Sequence, residues 1–143
     1  MKSLFQLLVV VGLVAILSAC GKDAAPTTAS VAELCTLESN TLVEVEGKFA
    51  LPTFLSCQDS LCRVNFADGE SGVMVELIAR AKPTSNMLRL PPREFTYDDL
   101  SVVLDDGATV ADRSTEVSLV GMVRRPSVEV CYLDACTLQL AEQ

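Results

Sequence analysis

Six cysteines carry most of the chemistry this sequence offers: Cys20, Cys35, Cys57, Cys62, Cys131 and Cys136, in a chain of 143 residues. Four fall into two units of equal spacing, Cys57-QDSL-Cys62 and Cys131-YLDA-Cys136. Where a four-residue spacer forms a hairpin turn, the flanking cysteines face one another across the strands and can bridge. Local pairing is therefore expected, each bridge adding only about 2 kcal/mol through loop entropy and serving to pin its loop. Four cysteines admit three pairings, so spacing alone does not fix the connectivity. Two other chemistries compete for the same units. Four thiolates could hold a metal, although zinc ligands usually lie two to four residues apart. A redox-active dithiol prefers Cys-x-x-Cys in an electropositive setting, whereas Asp59 and Asp134 lie inside these spacers. Cys35 has no partner in this scheme: it reads as an unpaired thiol, most simply a buried and inert one, with an intermolecular bridge or a pairing that displaces the local assignment as the alternatives.

Other residue types offer less. The chain has no His and no Trp, which excludes His-assisted nucleophiles and His-ligated zinc. Asp98, Asp99, Asp105 and Asp106 are close in sequence, but the spacing of a calcium loop is absent and turn chemistry accounts for Asp105-Asp106-Gly107. Arg124-Arg125 before Pro126 reads as a solvated turn. No Gly-rich phosphate loop and no Gly-x-Ser-x-Gly elbow occurs, and Lys22, Lys48 and Lys82 have no matching Ser-x-x-Lys. The expectation is a protein without catalytic residues, cofactor or metal.

The N-terminus has the layout of an export signal. Lys2 precedes an apolar run at 4–17, LFQLLVVVGLVAIL, and the small residues Ser18 and Ala19 follow. The run is shorter than the roughly 18 to 20 residues of a full span. Leu17-Ser18-Ala19-Cys20 resembles the lipobox of bacterial lipoproteins. That resemblance implies cleavage before Cys20, a diacylglyceryl group on its thiol and an acylated amine, hence a membrane anchor. Two or three acyl chains hold durably where one gives marginal binding. Gly21 after the cysteine, in place of Asp, implies the outer membrane, at its periplasmic face. Such export makes disulfides the default state of the remaining five cysteines. Loss of Met1 to Ala19 removes one charge, Lys2, and takes the net charge from −8 to −9. An acidic protein of this kind repels phosphate backbones, so nucleic acid is an unfavourable partner and a basic one is favoured.

Three segments follow: a signal peptide at 1–19, a tether at 20–34 and a domain at 35–143. The small, polar stretch at 21–32 cannot bury enough surface to order itself and would span roughly 20 Å as a flexible chain. Within the domain, Val43 and Val45 alternate with Glu44, Glu46 and Lys48, the period of a half-buried strand. Cys62, Val64 and Phe66 form a second strand, residues 67–72 a turn, and Val73, Val75 and Leu77 the inner face of a third. The proline-rich stretch at 81–94 reads as an irregular connection. Thr96 and Asp99 could form a capping box, but Asp106-Gly107 favours a hairpin of 100–104 with 108–110. A strand at 116–123 and a final hairpin of 128–132 with 136–140 complete the chain.

Short strands with regular turns mean a sandwich or a small barrel. LVEVEGKF at 42–49 and EVSLVGMV at 116–123 resemble the first and fourth strands of OB-fold domains, in which a glycine lets a long strand coil. YLDACTLQL at 132–140 is similar to their closing strand. The layout resembles tRNA-anti-like and small periplasmic OB-fold proteins, and implies an all-β, five-stranded barrel with an extra hairpin. The expected function is a lipid-anchored, non-enzymatic module that binds a protein or small ligand. A thiol-redox or metal-handling role for the Cys-x4-Cys units is the alternative.

Overall fold

The computed structural model describes Cys20 and residues 24–143. The expected signal segment at 1–19 and residues 21–23 of the expected tether lie outside the described residues. Ten strands follow in order. They are β1 (Thr27–Thr28), β2 (Leu42–Ala50), β3 (Ser56–Gln58), β4 (Leu61–Asp68), β5 (Ser71–Arg80), β6 (Met87–Arg89), β7 (Val102–Val103), β8 (Val110–Ala111), β9 (Val117–Arg124) and β10 (Tyr132–Leu140). Two 3₁₀ helices, Val31–Thr36 and Tyr97–Asp99, interrupt them.

Alternation decides which strands close the barrel. Val43, Val45 and Phe49 on β2, Cys62, Val64 and Phe66 on β4, and Val117, Leu119 and Val123 on β9 are all buried, with more exposed residues between them. A closed sheet turns one face of every strand inward, so period two in sequence becomes one continuous core. β2 pairs antiparallel with β4 and β9, β4 with β5, and β9 with β10. The parallel pairing of β5 with β10, Leu133 opposite Val75, closes the ring. Inside it the rings of Phe49 and Phe66 meet edge to face, their centroids 4.9 Å apart. The all-β, five-stranded OB-like barrel read from the sequence is the fold observed.

The hairpin read near Asp106-Gly107 also forms, as β7 with β8. The Thr96–Asp99 capping box forms too, over one short turn. An unforeseen strand, β6, lies in the proline-rich connection and continues along the β5 edge where β10 departs. The remaining edge of β10 is met by a side chain. Asn86 accepts a hydrogen bond from the Leu138 amide (2.8 Å), and its own amide donates to Asp105 (2.8 Å). Asp105 completes the clip by donating its backbone N–H to the Leu138 carbonyl.

Three expectations are corrected. First, the tether does not extend to residue 34. β1 pairs in parallel with β2, and Val31 and Leu34 are buried against the barrel. The three-residue repeat of the 3₁₀ helix Val31–Thr36 puts these two on one side, where Leu34 alone is worth about 2 kcal/mol of burial. Second, the final hairpin does not exist, because Tyr132–Leu140 is a single strand paired with β9. Five residue steps of extended chain put Cys136 about 16 Å from Cys131, so they cannot bridge. Third, Cys35 is not an unpaired thiol. It bonds to Cys131, with Cα atoms 5.8 Å apart, and ties the 3₁₀ plug to the start of β10. Cys57 and Cys62 do pair locally, across β3 and β4. Cys136 is bonded to Cys20, whose Cα lies 5.7 Å away.

Candidate functional site

The expected chemistry of the cysteines is altered by this connectivity. All six are engaged in disulfides among the described residues. The two Cys-x4-Cys units do not behave alike: one is a cross-strand hairpin, while the other runs along one strand.

The arginine pair and the acidic loop are structural in this fold. Arg124 donates to Asn40 and lies 3.4 Å from Asp134. Arg125 donates through its backbone to Ser39 and through its guanidinium to the Leu37 carbonyl, clipping the loop after the plug to the end of β9. Asp106 accepts from the Thr109 hydroxyl and from the amides of Ala108 and Thr109. The Thr109 hydroxyl, then the Ala108 amide, hold its carboxyl below the usual range. These are the bonds of a tight turn, which Gly107 completes with φ of 69°. No cluster of three or more His, Cys, Asp or Glu is placed to hold a metal ion among the described residues.

Two further surfaces carry clustered charge. On the β4–β5–β10 face, Arg63 lies over the Tyr132 ring, 4.4 Å from its centroid, and 3.3 Å from Glu76. Its charge is matched within the face. The other surface is a groove of about 520 Å³ beside β2, lined by Thr28, Ala29, Ser30, Glu33, Glu44, Glu46 and Asp68. Three elements bring its carboxylates together. Glu44 and Glu46 are the outward row of β2, opposite the buried Val43 and Val45. Glu33 comes from the plug, and Asp68 ends β4 at the hairpin turn. β1 forms the far wall, docked by the Ala29 amide on the Glu44 carbonyl.

No described Lys or Arg forms an ion pair with any of the four carboxylates, and Lys48 further along β2 is paired with Glu116. The Glu44 carboxylate accepts from the Ser118 hydroxyl, at 3.0 Å. Glu33 accepts from the Ser30 amide and hydroxyl, both at 3.0 Å, and these bonds, the amide first, hold its carboxyl below the ordinary range. The stability that follows is present above the ordinary carboxylate pKa and is lost as pH falls through the depressed value. Glu33 is therefore ionised at neutral pH. Sequence reading placed Glu44 and Glu46 on an outer face but missed Glu33 and Asp68, since nothing local says that a plug and a hairpin end converge there.

The ring order β2–β4–β5–β10–β9, with its one parallel pairing, places the chain in the OB class of small barrels. The sequence matches no family profile and no curated protein. Among solved structures it is similar to the hypothetical protein ygiW from E. coli, with TM-score 0.47 and 16% identity over 82% of this chain and 91% of that one. It is similar also to the telomere capping protein Ten1 from Saccharomyces pombe, with TM-score 0.42 and 12% identity over 82% of each chain. A chain of the S. pombe Stn1–Ten1 complex gives TM-score 0.42 and 12% identity over 83% and 79%. At these identities the likeness is one of fold.

Proposed function

We propose that this chain is a lipid-anchored envelope module, held at the periplasmic face of the outer membrane by an acylated Cys20, that binds a basic protein segment without catalysing a reaction. The observation that carries the binding half is the groove lined by Glu33, Glu44, Glu46 and Asp68, none of which forms an ion pair with a described Lys or Arg. Bringing four carboxylates together is electrostatically unfavourable unless a cation joins them. A lysine- or arginine-bearing segment lying along β2 would relieve that repulsion. The sequence Leu17-Ser18-Ala19-Cys20 supports the anchor.

Two measurements test the two halves. Cells fed labelled palmitate should incorporate it into the wild-type chain and fractionate that chain with the outer membrane, whereas Cys20→Ser should lose both label and membrane association. Unlabelled wild type would remove the anchor. Binding of a decalysine peptide to the barrel should weaken steeply between low and physiological salt, as exposed ion pairs do. Salt-independent binding would point to another surface.

A further inference from the structure

Two chemistries compete for the sulfur of Cys20. Under the anchor reading it carries a glyceryl carbon, yet in the folded chain it is bonded to Cys136, with the two Cα atoms 5.7 Å apart. One sulfur cannot do both. The other four cysteines are paired as Cys35–Cys131 and Cys57–Cys62. Cys136 is therefore the residue whose state must change. Its position suits that role. It is the bulge residue of β10, where the register passes from Ala135 opposite Gly121 to Thr137 opposite Val120. A bulge frees a residue from the ladder and re-aims its side chain, and Cys136 is only half-buried.

We infer that Cys136 competes with the lipid for Cys20, so that the oxidising power met during export sets the share of anchored chains. This rests on the reading of Cys20 as the lipid-bearing residue. In the first fate, the Cys20 and Cys136 thiols lose two electrons and two protons to a disulfide-carrying thiol oxidase, which becomes a dithiol. In the second, the Cys20 sulfur attacks a glyceryl carbon of a phospholipid. A C–S bond forms, the C–O bond to the headgroup phosphate breaks, and the thiol proton leaves with the phosphate. Cys136 lies 116 residues after Cys20, so the bridge captures only chains that have built β10 before acylation. The products differ in thiols: the anchored chain keeps one at Cys136, and the bridged chain keeps none.

The test expresses the full-length chain in a bacterial host with its thiol oxidase and in one without it. Protein is denatured in maleimide and weighed intact without reduction. In the oxidising host two species are expected: an acylated one bearing a single maleimide, and an unacylated one bearing none, whose digest yields a Cys20–Cys136 linked peptide. Either Cys136→Ser or loss of the oxidase should abolish the second species and raise the acylated fraction at least twofold. Complete acylation of wild type in both hosts, with no linked peptide, would overturn the competition and leave the anchor standing. Absence of acyl groups from Cys136→Ser in both hosts would instead overturn the anchor reading.

Discussion

Replacing Cys35 and Cys131 together by alanine is expected to lower the unfolding free energy by about 4–5 kcal/mol. The reason is the length of chain the bridge closes. Cys35 and Cys131 are 96 residues apart in sequence, against 5 for Cys57 and Cys62. Cross-linking removes freedom from the unfolded chain in proportion to the logarithm of the loop, so the long bridge is worth about 4–5 kcal/mol and the short one about 2. The long bridge also holds Leu34 and Val31 in place, since Cys35 follows Leu34 directly on the plug. Urea denaturation measures the difference. The Cys35→Ala/Cys131→Ala variant should unfold at a midpoint roughly 2 M lower, and Cys57→Ala/Cys62→Ala at roughly 1 M lower. Equal shifts for the two variants would mean that chain entropy is not the source of the stabilisation.

Gly47→Ala is the second large expectation, at about 3 kcal/mol from a single methyl group. Gly47 sits inward on β2 in the row of Val45 and Phe49. A Cβ there would lie 2.6 Å from the Ala67 carbonyl oxygen and 2.9 Å from the Phe66 ring. The ring is fixed edge-on against Phe49 and the carbonyl belongs to the neighbouring strand, so neither can withdraw cheaply. Overpacking of a filled core typically costs 1–3 kcal/mol and more where backbone must move. Gly72→Ala is the control, because its nearest contact would be 3.8 Å away. Thermal unfolding should fall by roughly 10 °C or more for Gly47→Ala and by only a degree or two for Gly72→Ala. A shift for Gly47→Ala as small as the control's would show that β2 and β4 do not pack as closely as described.

Strands that bury one face along their whole length were legible, because period two survives from sequence into structure. β2, β4, β5 and β9 are of this kind. β10 is not. Leu133 and Leu138 are both fully buried although an odd number of residues apart, and strict alternation would put them on opposite faces. The bulge at Cys136 restores the parity. By alternation alone, without the bulge, the segment divides into two strands joined by a turn, which leads directly to the mistaken Cys131–Cys136 pairing, whereas the likeness of 132–140 to a closing OB strand is the reading that β10 matches. β6 escaped notice because three residues among prolines carry no period, and the plug because Val31 and Leu34 are its only buried residues. The groove was half legible for a related reason. Alternation reveals which way Glu44 and Glu46 point, but not which distant carboxylates join them.

The groove is where the functional account stands or falls, and the most direct test follows amide resonances of the soluble barrel domain as decalysine is added. Shifts should concentrate at Ser30, Glu33, Glu44, Glu46 and Asp68, and the Glu44→Gln/Glu46→Gln variant should bind about fivefold more weakly, as expected for losing two exposed ion pairs. Shifts centred instead on Arg63, Glu76 and Tyr132, with undiminished affinity in that variant, would contradict the assignment of this groove as the binding surface.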